Sequence, residues 1–173
     1  MSRHKREFKN VLRLVVEHDS YEELEESISK SPIIKPWIAM EAFAKIFFSA
    51  RKQQFNIEKY YSKRYDSIPA EIEVNTRDLG TDGIIVHTDG KISRVQVKFR
   101  QNKYEKFDRG ALGGMGLEAL ALKESFGQLY LFTNTYDGPT YVGALEREKV
   151  VKYVLYDTIK INWDLPKSTP KKL

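Results

Sequence analysis

Residues 80–100, which read GTDGIIVHTDGKISRVQVKFR, decide the fold of this 173-residue chain. Two parts of the stretch, 84–86 and 92–99, have the composition of β-strands, and a Thr-Asp-Gly turn signal at 88–90 separates them. This pattern predicts an antiparallel β-hairpin. The length of the hairpin loop then determines which side chains share a face of the sheet.

Two loop lengths are considered, and they place the polar side chains on different faces of the sheet. A two-residue turn would send the side chains of Asp82 and Gln96 to opposite faces of the sheet. A three-residue loop, with Gly90 in a left-handed bulge, instead pairs Ile84 with Arg94. It also places Asp82 directly opposite Gln96. Because only this second register gathers the polar residues, we predict the three-residue loop.

In that register one face of the hairpin carries polar chemistry. Gln96 and Lys98 are two residues apart, so they share a face with Asp82, while the residues that alternate with them face the core: Val95, Val97 and Phe99. Hard divalent cations prefer oxygen ligands. A carboxylate, an amide oxygen and an ammonium group at one end of a hairpin can therefore bind such a cation and orient a water.

Length and composition indicate one α/β domain. With 41% hydrophobic residues, we expect a single domain over residues 1–165, a core at about 36–135, a helical extension at 5–30, and a flexible tail or linker at 166–173. The absence of cysteine excludes disulfides and cysteine-ligated zinc. No apolar run reaches the roughly 20 residues that span a bilayer, so we expect a cytoplasmic protein without membrane contact.

The positive charge is concentrated after the hairpin turn. Residues 91–109 hold seven basic and two acidic side chains, whereas the rest of the chain is balanced. Such a patch suits a phosphate backbone, although a solvated surface also explains a basic run. Tyr104 could stack on bases or anchor the loop to the core. The side chains predicted to contact nucleic acid are Arg94, Arg100, Lys103, Tyr104, Lys106 and Arg109.

Three helices are predicted before the hairpin. The first covers residues 6–17, and the second covers 21–30 and begins at a capping box formed by Ser20 and Glu23. Pro36 suits the first position of the third helix, because its missing N–H needs no partner there.

Glu41 lies on this third helix, predicted to run from residue 37 to about 51, on one stripe with Trp37, Met40, Ala44 and Phe48. A carboxylate in an apolar stripe needs a partner, because burying an unpaired charge is costly. A metal ion, Lys98, or Lys45 one turn later would supply that partner. A partly exposed Glu41–Lys45 pair explains the pattern equally well.

The remaining strands are predicted on both sides of the hairpin. Residues 53–69 are polar and tyrosine-rich and are interpreted as a helix extension followed by a loop. Residues 71–74 alternate like a strand and would complete a meander with the hairpin, which makes Glu73 a reserve acidic ligand. A helix at 117–126 followed by a strand at 129–133 predicts a crossover to a parallel strand.

These motifs resemble the PD-(D/E)xK nuclease superfamily, and most closely its Mrr-like restriction endonuclease branch. The matching residues are Glu41 on a helix, LGTDGIIV at 79–86, RVQVKF at 94–99 and LYLFTN at 129–134. The resemblance implies a restriction-endonuclease-like α/β core, in which helices flank a mixed sheet built from an antiparallel meander and a parallel strand, with extra N-terminal helices. Thr81 replaces the usual proline, and Gln96 the usual acidic residue, although Mrr-like members carry glutamine there.

By this resemblance the chain would be a metal-dependent endonuclease that hydrolyses phosphodiester bonds in DNA, with Glu41, Asp82, Gln96 and Lys98 as catalytic residues. Mg²⁺, or Mn²⁺ in its place, would be bound by Asp82, Gln96, the Val97 carbonyl and Glu41. Lys98 would orient or deprotonate the attacking water. Because an amide is a weaker ligand than a carboxylate, we expect modest magnesium binding.

A second hypothesis comes from the glutamine at position 96 and from the linker-like tail. The chain would then be a nucleic-acid-binding module of nuclease fold that cleaves weakly or not at all, within a larger helicase or restriction assembly. DNA is the expected partner under both hypotheses. RNA as the polymer and a homodimer as the assembly remain open.

Overall fold

The architecture comes from a computed structural model that describes residues 1–18, 20–72, 81–100, 126–134 and 151–155. Its elements in chain order are α1 (Arg3–Glu17), α2 (Tyr21–Lys30), α3 (Pro36–Ala50), β1 (Ile57–Ser62), β2 (Gly83–His87), β3 (Ile92–Lys98), β4 (Phe126–Thr133) and β5 (Val151–Leu155). Several predicted features lie outside the described residues: Glu73, the crossover helix up to residue 125, the tail at 166–173, and Lys103, Tyr104, Lys106 and Arg109.

The described strands form one mixed five-stranded sheet in the order β1-β2-β3-β4-β5. β1, β2 and β3 are antiparallel neighbours, β4 runs parallel to β3, and β5 runs parallel to β4. The predicted fold class, an antiparallel meander joined by a parallel strand and flanked by helices, is therefore confirmed. β3 lies in the centre of the sheet, so side chains on both of its faces can be covered.

The strand that completes the meander differs from the prediction. It is β1, from Ile57 to Ser62, whereas Glu71 and Ile72 lie in a turn. The predicted helix extension in residues 53–69 is likewise wrong, because residues 57–62 form β1, whereas residues 63–69 do form a loop. A register shift between Ile57 and Lys59 interrupts the alternation of β1. This irregularity, in a polar tyrosine-rich segment, hides the strand from a period-two pattern.

The predicted hairpin register is confirmed. The His87 N–H donates to the Lys91 carbonyl at 2.9 Å, which closes a three-residue loop. Gly90 in that loop has a φ of 84°, the left-handed conformation that glycine adopts without strain. Ile84 pairs with Arg94, as the three-residue loop requires. Local turn chemistry therefore sets the register of the central strands.

At the end of the hairpin away from its loop, the hydrogen bonds depart from a regular antiparallel pattern. The last pair of the register is Gly83 with Val95. One residue beyond it, the Asp82 N–H donates to the Val95 carbonyl at 2.9 Å, and Asp82 Oδ2 accepts from the Val97 N–H at 2.8 Å. Asp82 is thus bound to the β3 backbone on either side of Gln96, and the predicted pairing of Asp82 with Gln96 is not part of the register.

The helices follow the predicted order. Ser20 Oγ accepts a hydrogen bond from the Glu23 N–H at 3.2 Å and opens α2, and Pro36 is the first residue of α3. α1 begins earlier than predicted, because the Ser2 side chain caps it by accepting from Lys5 N at 3.3 Å. No helix in the described part of the chain is long and apolar enough to cross a membrane.

α3 carries the core. All of residues 38–48 are buried, because α1 packs on one side of α3 and the sheet on the other. The ring of Phe48 stacks on Tyr60 of β1 at 5.5 Å and meets Tyr130 of β4 edge-on at 5.3 Å. Aromatic contacts of this kind join α3 to the edge strand β1 and to the interior strand β4.

Candidate active site

A cleft of about 340 Å³ opens where β3 ends. Three segments that are distant in sequence supply its walls: the start of α3, the segment after β1, and the hairpin. The lining residues are Trp37, Glu41, Arg64, Asp82, Val97, Lys98, Phe99 and Arg100. Three of the four predicted catalytic residues, Glu41, Asp82 and Lys98, are therefore brought together, while Gln96 is not among the lining residues.

Backbone hydrogen bonds hold Asp82 in the cleft. Its N–H donates to the Val95 carbonyl, and its own carbonyl accepts from the Lys63 N–H at 3.0 Å. Its carboxylate accepts from the Val97 N–H at 2.8 Å. The partners of Asp82 are thus two backbone groups of β3 and the N–H of the residue that follows β1, and they fix the position of Asp82 next to the sheet.

A buried tyrosine packs beside Asp82. A Cβ atom at Gly83 would lie 2.2 Å from the Tyr60 hydroxyl oxygen, so only glycine leaves room for this ring. Burial raises the pKa of Tyr60 well above its usual value, and the negative charges of Asp82, Glu41 and Asp66 raise it further. Tyr60 is therefore a neutral phenol at physiological pH, not an anionic ligand.

Glu41 has a partner that the sequence did not predict. It is 7% exposed, and its carboxylate accepts two hydrogen bonds from Arg64, one from Nε and one from Nη2, the second at 3.0 Å. An arginine fork satisfies a buried carboxylate through two parallel charge-assisted bonds. Of the partners that the sequence left open for Glu41, the alternative of a pair with Lys45 is wrong, and the ion-pair partner in this structure is Arg64.

Lys45 belongs to a second ion pair. Its ammonium group lies 2.7 Å from Asp66 Oδ2, which also accepts from the Ser62 N–H at 2.8 Å. Burial lowers the pKa of Lys45, and the hydrogen bond from Lys45 to Asp66 partly offsets this effect. Arg64, the partner of Glu41, and Asp66, the partner of Lys45, both follow β1 directly. A correct assignment of β1 from the sequence would therefore have pointed to both partners.

Gln96 is buried, with 2% of its surface exposed, and its Oε1 atom has no hydrogen-bond partner among the described residues. A buried acceptor without a donor is unusual and suits a cation ligand. Within the described ranges, however, no group of three or more acidic, histidine or cysteine side chains could hold a metal ion. Of the two side chains predicted as oxygen ligands, Asp82 lines the cleft and Gln96 does not.

Just after β3 ends at Lys98, two reciprocal hydrogen bonds hold the backbone of Arg100. The Arg100 N–H donates to Asn134 Oδ1 at 2.9 Å, and Asn134 Nδ2 donates to the Arg100 carbonyl at 2.7 Å. The sequence assigned no role to Asn134, although it ends the LYLFTN stretch. Asn134 therefore fixes the backbone of Arg100 just after the end of β3.

One predicted nucleic-acid contact is wrong. Arg94 is 2% exposed, because it lies in the centre of the sheet on β3. A guanidinium group in that position cannot lie on a DNA-binding surface. Arg100, by contrast, is partly exposed and lines the cleft.

No family model matches the sequence, and no curated protein matches it. Among solved structures, the chain is similar to the ATP-dependent Type ISP restriction-modification enzyme LlaBIII bound to DNA, with a TM-score of 0.54 and 13% sequence identity. The fold is one found in a restriction-modification enzyme. The match covers 83% of this chain and 8% of that chain, so the present chain spans a small part of the enzyme's length. This likeness agrees with the restriction-endonuclease-like core.

Proposed function

We propose that the chain is a metal-dependent endonuclease that hydrolyses phosphodiester bonds in DNA within the cleft at the end of β3. The observation that carries this proposal is the meeting of Asp82, Lys98 and Glu41 in one cleft, although they come from separate parts of the sequence. The fold likeness to a restriction-modification enzyme bound to DNA supports it. The residue types match those of the PD-(D/E)xK nucleases, with glutamine at the second motif position.

Each cleft residue has a distinct task in this proposal. The Asp82 carboxylate, fixed by the Val97 N–H, would hold Mg²⁺ or Mn²⁺ together with the amide oxygen of Gln96. The bound cation supplies Lewis-acid activation of the phosphodiester. Lys98 lines the same cleft and would orient or deprotonate the attacking water, and its charge would stabilise the negative charge that develops on the phosphate.

DNA binding is assigned to the basic segment that leaves β3. Arg100 lies at the cleft, with its backbone fixed by Asn134. Lys103, Lys106 and Arg109 follow Arg100 in sequence, and we propose that they neutralise backbone phosphates. Such contacts position a duplex without reading its bases. The proposal therefore predicts cleavage with little dependence on DNA sequence.

A DNA-binding module without efficient cleavage is the second candidate function. A neutral amide stands at position 96, and Glu41 is engaged by Arg64 rather than available as a ligand. The chain also spans only 8% of an ATP-dependent enzyme of similar fold, which favours a role inside a larger assembly.

The decisive experiment incubates the protein with supercoiled, linear and branched DNA in Mg²⁺, in Mn²⁺ and in a chelator. The variants Asp82→Asn and Lys98→Met remove the charges assigned to catalysis. The variants Asp89→Asn and Lys91→Met are matched controls, because both residues are exposed at the other end of the same hairpin.

The endonuclease proposal predicts cleavage that requires the metal, is lost in the first pair of variants and persists in the controls. Cutting that persists in the chelator or in Asp82→Asn would contradict the mechanism. DNA binding without cutting under every condition, weakened when Arg100, Lys103 and Lys106 are neutralised, would establish the binding module instead.

A further inference from the structure

The guanidinium group of Arg64 is held on three sides at the wall of the cleft. The carboxylate of Glu41 accepts from its Nε and Nη2 atoms. The ring centroid of Trp37 lies 4.9 Å from its Cζ atom, and Nδ1 of His4 lies 3.4 Å from Nη1. The N-terminal helical extension thus reaches the site through His4.

Within this pair, the arginine is the member that faces solvent. The side chain of Arg64 is 26% exposed, and that of Glu41 is 8% exposed. A planar cation that is held by a carboxylate and stacked on an aromatic ring loses little side-chain entropy when it binds a phosphate.

Glu41 is poorly suited to leave this pair for a metal ion. Separating the two side chains would leave a nearly buried carboxylate and a partly buried guanidinium to find new partners, and uncompensated buried charges are strongly unfavourable. Asp82 Oδ2 accepts a hydrogen bond from the backbone N–H of Val97, so the two acidic residues of the cleft are held by different groups.

From this geometry we infer that Arg64 binds a backbone phosphate of the substrate in the cleft, and that Glu41 is a positioning residue for Arg64 rather than a cation ligand. This inference deepens the proposed function and rests on its assignment of DNA to the cleft. It changes the role that the nuclease resemblance implied for Glu41. It also adds two residues, Arg64 and Trp37, that the sequence did not assign to the site.

The first test measures DNA binding without cleavage, in a chelator, as a function of salt concentration. Loss of one phosphate contact in Arg64→Ala reduces the slope of log K against log salt by about 1 and weakens binding to all sequences alike. Arg13→Ala is the matched control, since Arg13 forms a surface ion pair with Glu17 on α1. A salt slope in Arg64→Ala equal to that of the wild type would overturn the inference.

The second test compares Glu41→Gln, Arg64→Ala and the double variant in cleavage assays over a range of Mg²⁺ concentrations. If Glu41 acts through Arg64, the double variant resembles Arg64→Ala, and the Mg²⁺ concentration for half-maximal activity stays within about twofold of the wild-type value. A shift of about tenfold or more in that concentration for Glu41→Gln, with Arg64→Ala unchanged, would instead identify Glu41 as a cation ligand.

Folding controls keep these tests decisive. Arg64→Lys retains the charge but loses the fork, so it should fold and still bind DNA less tightly than the wild type. If Arg64→Ala does not fold, the salt slope of Arg64→Gln replaces it. A wild-type protein that does not cut DNA would contradict the endonuclease proposal alone, because the salt slopes test Arg64 independently of cleavage.

Discussion

Asp82 Oδ2 accepts a hydrogen bond of 2.8 Å from the backbone N–H of Val97, the residue between Gln96 and Lys98. The carboxylate at the start of β2 is therefore fixed against the centre of the QxK segment on β3. The proposed cleavage mechanism uses this placement. Asp82 contributes both a hydrogen-bond acceptor and a negative charge, and mutation can test these two properties one at a time.

Asp82→Asn should retain the fold and lose activity. The amide oxygen of asparagine can still accept from Val97, so the free energy of unfolding should change by less than about 1 kcal/mol. The loss of the charge should reduce cleavage by about 100-fold or more, because an amide is a weaker cation ligand. Urea denaturation and cleavage rates check the two halves. A large loss of stability with activity intact would contradict this role.

Arg64→Ala should destabilise the protein. The substitution leaves the carboxylate of Glu41, which is 8% exposed, without its bidentate partner. Breaking such a pair should lower the free energy of unfolding by about 2–4 kcal/mol. Arg13→Ala, which removes a surface pair, should change it by less than about 0.5 kcal/mol. Denaturant titration of both variants measures the difference, and equal effects would contradict the burial argument.

Gly83→Ala should clash with Tyr60. The new Cβ atom would lie 2.2 Å from the phenol oxygen of a ring that is itself buried, so something must move. Overpacking of this kind costs about 1–3 kcal/mol of unfolding free energy. In a Tyr60→Phe background, which lacks the hydroxyl, the cost should be smaller. A double-mutant cycle by chemical denaturation tests this coupling, and additive effects would mean that the two residues do not interact.

Tyr60 should make stability fall at alkaline pH. Burial, together with the charges of Asp82, Glu41 and Asp66, raises the pKa of Tyr60 in the folded protein. A raised pKa contributes stability that is fully present below the unfolded value near 10 and is lost as the pH rises above it, since only the unfolded chain then ionises this phenol.

The measurement is the difference in unfolding free energy between wild type and Tyr60→Phe from pH 8 to 11. We expect the wild type to lose stability relative to the variant above about pH 10. Because the other tyrosines are shared by both proteins, their ionisation cancels from the difference. A difference that is constant across this range would contradict burial of a neutral phenol.

Asn134→Ala should weaken the junction between β3 and the basic segment. It removes both hydrogen bonds to the Arg100 backbone, at 2.9 and 2.7 Å. Asn134 is 8% exposed, so the loss should lower the unfolding free energy by about 1–3 kcal/mol. DNA binding should also weaken, because Arg100 would no longer be held at the cleft. Thermal unfolding measures the change in stability, and binding titrations measure the change in DNA affinity. An unchanged DNA affinity would show that the Asn134–Arg100 hydrogen bonds do not contribute to DNA binding.

The sequence predicted those parts of the fold that are set by a few neighbouring residues. The Thr-Asp-Gly turn and Gly90 set the hairpin register, and Ser20 with Glu23 and Pro36 set the starts of two helices. In each case a few adjacent residues satisfy the backbone, so the sequence contains the information directly.

The features that the sequence did not reveal depend on distant contacts. β1 was missed because the register shift between Ile57 and Lys59 interrupts its alternation and its residues are largely polar. Arg64 lies 23 residues from Glu41, so their pairing exists only once α3 packs against the sheet. The burial of Arg94 likewise follows from the place of β3 at the centre of five strands. The sequence therefore predicted which kinds of residue line the cleft, but it did not predict which of them form ion pairs.

The most direct test of the central claim is the conversion of supercoiled DNA to nicked and linear forms by wild-type protein and by Lys98→Met, each with Mg²⁺ and with a chelator. Lys98 lines the cleft with Asp82, and the endonuclease proposal gives it the attacking water. We predict nicked and linear products only for the wild type with Mg²⁺, with Lys91→Met behaving as the wild type. Equal product formation by Lys98→Met, or by the wild type in the chelator, would contradict the account.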